Sequence, residues 1–130
     1  MPALVFAPLY TVALALLVEV LAIAVIRKRR AARISLGTGG DSMLERRVRA
    51  HANCVEQCGL ALLLLAMYEL NGGNFYVLNA AGLCLLVGRV IHARSLVAAH
   101  GQGRVLGMAL SFTSYAVLIP ANLVAALAGS

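Results

Sequence analysis

The chain contains no tryptophan, and only five of its 130 residues are acidic. Charged residues of both signs make up just 12% of it, while 62% is hydrophobic. A soluble domain carries about 25% charged and about 45–50% apolar residues, so this composition excludes one and points to an integral membrane protein. Short alternating strands of the kind a membrane β-barrel needs are missing, which leaves helices as the spanning element. Cysteine is scarce and odd in number: Cys54, Cys58 and Cys84. Three thiols inside apolar stretches give no disulfide framework. Cations are missing from both termini and from the Asn71-Gly72-Gly73-Asn74 connection. The first apolar segment has no basic leader before it, so it reads as a retained span rather than a signal peptide.

What is present fits that exclusion. Mean hydropathy is +0.89. Four apolar stretches can be drawn, from about Leu4 to Ile26, Met43 to Leu70, Phe75 to Val97, and Val105 to Leu127. Each reaches the roughly 20 residues that a helix needs to cross a bilayer. The expected fold is all-α, a four-helix membrane bundle forming one domain over residues 1–130, with short connections that make successive helices antiparallel neighbours. Polar stripes on two of these helices need partners away from lipid, so an oligomer is expected. Gly103, Gly107 and Ser111 form a row of small residues at the start of the fourth helix, suited to close helix contact. Pro120 is expected to bend that helix near its end.

The net charge of +6 would suggest nucleic acid in a soluble protein. Here its placement speaks for topology instead, with no nucleic-acid partner expected. All eleven cations lie in or beside the first and third connections. The positive-inside rule puts those connections in the cytoplasm and both termini outside. The first connection contains Leu36-Gly-Thr-Gly-Gly40, which lacks the Lys-Ser/Thr and the preceding strand of a phosphate loop and reads as a flexible turn. Ser42 followed by Glu45 fits a capping box that starts the second helix at Met43.

The second helix opens with Glu45-Arg-Arg-Val-Arg-Ala-His-Ala-Asn-Cys-Val-Glu56 and runs straight into Cys58-Gly-Leu-Ala-Leu-Leu-Leu-Leu-Ala-Met67. Ionisable groups at membrane depth are expensive and point to function by default. At about 100° per residue, Arg46, Arg49, Asn53 and Glu56, with Gln57, cover roughly a 100° arc, while His51 and Arg47 point elsewhere. The alternative is a self-neutralising network with arginines reaching lipid phosphates. Guanidinium, amide and carboxylate groups on one wall suit a polar, anionic, amino-acid-like ligand. Arg89 and His92 lie one turn apart at the end of the third helix, near the same level, and Arg104 opens the fourth. Against these stands the bland reading of an interfacial basic end. Glu19, alone inside the first span, suggests proton coupling or an internal partner. Cys54 and Cys58, at i and i+4, could suggest a metal pair but read as small core residues, with no metal site expected.

The Glu45–Glu56 run resembles the signature of the MAPEG family (membrane-associated proteins in eicosanoid and glutathione metabolism). The four-span layout and Arg89-x-x-His92 agree with it. Arg33-Ile-Ser-Leu-Gly-Thr-Gly-Gly-Asp41 and Arg104-Val-Leu-Gly-Met108 resemble the bacterial branch, which implies a bacterial inner membrane. The resemblance implies a homotrimer with glutathione bound as co-substrate between neighbouring subunits, towards the cytoplasm. Arg49, Asn53 and Glu56 match positions that hold the tripeptide; His51, Arg89 and His92 match further site positions, and Arg46 lies beside them. Arg104 is the cation nearest to the place where relatives carry a thiol-facing arginine. The implied activity is that of a glutathione transferase or peroxidase acting on apolar electrophiles that arrive from the bilayer. The chain has Gln57 and Leu96 where some catalytic relatives have tyrosine, and these departures bear on turnover rather than on binding. Two other functions suit parts of the pattern. A small proton-coupled multidrug exporter would use Glu19, although such exporters usually keep a tryptophan near the acid. A non-catalytic scaffold or lipid-binding trimer would need only the fold.

Overall fold

The computed structural model describes residues 3–129. They form four helices in sequence: α1 (Phe6–Ala32), α2 (Ser42–Leu70), α3 (Phe75–Val97) and α4 (Gly101–Ala128). Each is long and apolar enough to cross a membrane. The all-α expectation holds, and the described residues contain no strand. In lipid, apolar burial does not drive helices together; close packing does. The buried face of α2 accordingly carries small side chains, with Ala50, Cys54, Cys58 and Ala61 leading to Leu65 and Tyr68 at a spacing of three to four residues. Leu14 and Leu21 of α1 and Leu85 and Ala93 of α3 pack against the first part of this face.

The small-residue row on α4 faces α3 within the same chain. Gly107 and Ser111 are buried, and a methyl group at Gly107 would stand 2.7 Å from the Gly88 carbonyl oxygen and 2.6 Å from His92 Cβ. Backbone meets backbone there, and α3 and α4 form the most extensive helix pair. α1 packs on α2 and more lightly on α3, and does not approach α4.

Helix ends show why the apolar stretches and the helices differ in extent. α1 continues past Ile26 through four basic residues to Ala32, because arginine and lysine are good helix formers and only their hydropathy marks the membrane border. It stops where Arg33 takes a left-handed conformation at φ 57°. α2 begins at Ser42, not Met43, and its cap is Asp41, one residue before the expected serine. Asp41 Oδ1 accepts from the Leu44 backbone N–H at 2.9 Å, and its Oδ2 pairs with Lys28 at 2.9 Å. A carboxylate outcompetes a hydroxyl as acceptor at a positive helix end and binds the cation as well. The Leu44 N–H, and then the Lys28 ammonium, hold the Asp41 carboxyl below its ordinary pKa. Its stabilising effect is therefore present above the unfolded-state value of about 3.9 and disappears as pH falls through the lowered folded value. Amide exchange at Leu44 should accelerate below that range in the wild type, whereas in Asp41→Asn it should be faster at neutral pH and respond little to acid.

α1 has no side-chain cap of its own. Glu69, in the last turn of α2, supplies one: Oε1 accepts from Val5 and Phe6 N–H at 2.8 Å each, and Oε2 accepts from Ala7 N–H at 2.7 Å. Asn74 caps α3 through the N–H groups of Tyr76 and Val77, and His100 caps α4 through Gly103 N–H. The connection between α2 and α3 turns at Gly72, whose φ of 71° suits glycine.

Candidate functional site

At 1.5 Å per residue, the 29 residues of α2 extend about 43 Å. The hydrocarbon layer is about 30 Å thick, so roughly two turns of α2 stand outside it. If its apolar end occupies the hydrocarbon, the segment before Ala50 lies at the headgroups, and Asn53 and Glu56 enter the layer. Arg49 and Glu56 are exposed and Asn53 is half-buried between them, so the wall drawn from helical periodicity exists on the surface of the chain. Arg46 is half-buried beside it, and its Nε donates to the Val97 carbonyl at the end of α3 at 3.2 Å. Arg47 turns to α1, with Nη1 donating to the Ala24 carbonyl at 3.1 Å. His51 is half-buried.

The third-helix pair lies inside the bundle. Arg89 is 1% exposed. Its Nε donates to Ser111 Oγ at 2.8 Å and its Nη1 to Asn53 Oδ1 at 2.6 Å. Its Nη2 lies 3.3 Å from the Gly107 carbonyl oxygen and 3.2 Å from the Met108 sulfur. This one guanidinium joins α2, α3 and α4. Sequence reasoning named Arg89 but missed its acceptors. Ser111 and Gly107 were visible only as small packing residues, and nothing in their spacing marks them as partners of a cation.

His92, also buried, lines a groove with Arg104. Gly101, Val105, Met108, Ala109 and Phe112 complete its walls, and its volume is about 570 Å³. An exposed guanidinium thus stands over a mainly apolar hollow on the α4 surface. Met108 links the two places, since its sulfur meets Arg89 and its side chain lines the groove.

Other candidates fall elsewhere. Glu19 is exposed and borders a separate hollow of about 260 Å³ between α1 and α2, with Leu14, Val18, Val55, Cys58 and Leu62 around it. Cys54 and Cys58 sit on the core face of α2 with their sulfurs 3.8 Å apart. The hydroxyls of Tyr68 and Tyr115 meet backbone groups rather than the side chains of the wall. Tyr115 donates to the Gln57 carbonyl at 3.0 Å, and Tyr68 accepts from the Asn74 N–H at 3.1 Å.

Comparison with known proteins returns two kinds of likeness. The model of the MAPEG family matches residues 7–124. The chain is also similar to the inner membrane protein YecN of Escherichia coli K12, at 32% identity over 115 residues that make up 88% of each protein. The protein of that name from Escherichia coli O6:H1 shows the same identity and coverage.

Proposed function

The chain belongs to the MAPEG family, and from that premise we propose that it binds glutathione along the cytoplasmic end of α2 and activates its thiol against apolar electrophiles. The observation that carries this reading is the joint presentation of Arg49, Asn53 and Glu56 on one surface wall. Glutathione offers two carboxylates, an ammonium and amide groups, for which guanidinium, amide and carboxylate side chains are complements.

The chemistry requires a thiolate. A free thiol has a pKa near 8.5, and an adjacent cation lowers it. Arg104 is the exposed cation for that task, because it stands at a groove whose walls suit an apolar co-substrate. The thiolate attacks the electrophilic carbon, and the leaving group departs with the bonding pair. A dry, apolar surrounding strengthens the arginine–sulfur interaction and holds back competing water.

Exposed Glu56, at hydrocarbon depth, also favours assembly, since an unpaired charge facing lipid is costly. A homotrimer that covers these walls with neighbouring subunits, and binds glutathione at each seam, meets that requirement. Similarity to YecN supports a bacterial inner membrane. The placement of cations around the first and third connections supports cytoplasmic connections and external termini.

The direct test is glutathione binding to the purified, detergent-solubilised protein by calorimetry. Arg49→Ala should weaken it by about tenfold or more, the worth of a charge-assisted hydrogen bond. Unchanged affinity would remove this wall as the site. Ultraviolet difference absorption of bound thiolate, followed by an aryl-halide transferase assay, then separates binding from turnover.

A further inference from the structure

Asn53 stands between the surface wall and the buried Arg89, and this position dictates which end of its amide a ligand meets. A guanidinium offers donors only. The amide oxygen of Asn53 therefore faces Arg89, at 2.6 Å from Nη1, and the NH2 group faces away. The reverse orientation would set donor against donor. Arg89 is itself tethered by Ser111 Oγ at 2.8 Å and by the Gly107 carbonyl and Met108 sulfur at 3.3 and 3.2 Å. Among the described residues, Asn53 Nδ2 donates to no protein group. It is also not sealed in, for the buried polar atoms without partners are Ser114 Oγ and Asn122 Oδ1.

We infer that Arg89 is a positioning residue that locks Asn53 as a donor, so that the Arg49–Asn53 part of the wall recognises only acceptor groups. Carboxylates and carbonyls fit there, and Glu56 is left to meet a ligand's ammonium. This inference rests on the glutathione reading and adds a polarity to it: the acceptor end of the peptide lies towards Arg49, the ammonium towards Glu56. The charge of Arg89 acts in the same direction. Its four contacts are to neutral groups, and the ion pair found among the described residues, Lys28 with Asp41, is elsewhere. An uncompensated cation behind the wall favours an anion in front of it.

Asn53→Asp is the decisive variant. Aspartate has the same shape and still accepts from Arg89, so thermal unfolding of the full-length protein in detergent should occur at the parent temperature or above it. The wall, however, loses its Nδ2 donor and gains a negative charge, and glutathione affinity by calorimetry should fall at least tenfold. A stable Asn53→Asp protein that binds as the parent does would overturn the inference while leaving the glutathione reading intact. A parent protein that binds no glutathione would instead overturn the reading on which the inference rests. Arg89→Lys and Arg89→Gln decide the matter independently if the aspartate variant does not fold. Lysine is still a pure donor and should keep binding within about threefold of the parent. Glutamine both donates and accepts, frees Asn53 to turn over, and should bind at least tenfold more weakly than the lysine variant. Equal affinities for these two would refute orientation as the role of Arg89.

Discussion

Gly107→Val should abolish the stable fold, with a loss exceeding about 3 kcal/mol and a chain that aggregates on extraction into detergent. Overpacking a tight core costs about 1–3 kcal/mol when side chains can give way, and more when they cannot. Here the obstacles include backbone. A Cβ at Gly107 would lie 2.7 Å from both Gly88 O and His92 N, and one at Gly88 would lie 2.9 Å from Gly107 O. Prying α3 from α4 also withdraws the Gly107 carbonyl and Ser111 Oγ, both of which accept from Arg89. The cation would then be left short of partners in a medium that supplies none. Gly59→Val is the matched control, since nothing lies within 4 Å of where a Cβ would stand there. Size-exclusion profiles and thermal unfolding of the two variants give the answer. A Gly107→Val protein that elutes and melts like the Gly59→Val control would show that the helix pair tolerates separation.

Glu69→Ala should destabilise the protein by about 2–3 kcal/mol, with the loss concentrated at the start of α1. Its carboxylate satisfies three N–H groups that the helix cannot satisfy internally, at 2.7–2.8 Å. Hydrogen bonds to a charged partner are each worth about 1.5–3 kcal/mol, less what water or headgroups restore after the mutation. The negative charge also complements the positive end of the α1 dipole. Glu69→Gln, which keeps one acceptor and loses the charge, should fall between parent and alanine variant. Amide exchange at Val5, Phe6 and Ala7 reads the effect locally. Unaltered protection there in Glu69→Ala would mean that the clamp carries no weight.

The sequence shows the four helices plainly because a membrane imposes a long, averaged signal: some twenty apolar residues outweigh any local ambiguity. It also shows the exposed wall, because Arg49, Asn53 and Glu56 belong to one helix and 3.6-residue periodicity fixes their common face. Contacts between helices are where such reading stops. Glu69 acts on residues 62–64 positions away, and no local pattern announces that a carboxylate closing α2 will cap α1. Arg89 reads as an interfacial cation from its neighbourhood, and its burial becomes visible only when Ser111, 22 positions on, is folded back against it. The cap at Asp41 was missed for a subtler reason. Ser42 and Glu45 satisfy a known spacing, but spacing ignores Lys28, which favours the preceding carboxylate.

Lys28, Arg47 and Glu69 also give α1 a mechanical property. They tie it to α2 near both of its ends, through Asp41, the Ala24 carbonyl and the N–H groups of Val5, Phe6 and Ala7. Two anchor points so far apart prevent either rod from sliding past the other. In a bilayer thinner or thicker than the pair prefers, α1 and α2 must therefore tilt together as a single plank, or the lipid must deform around them.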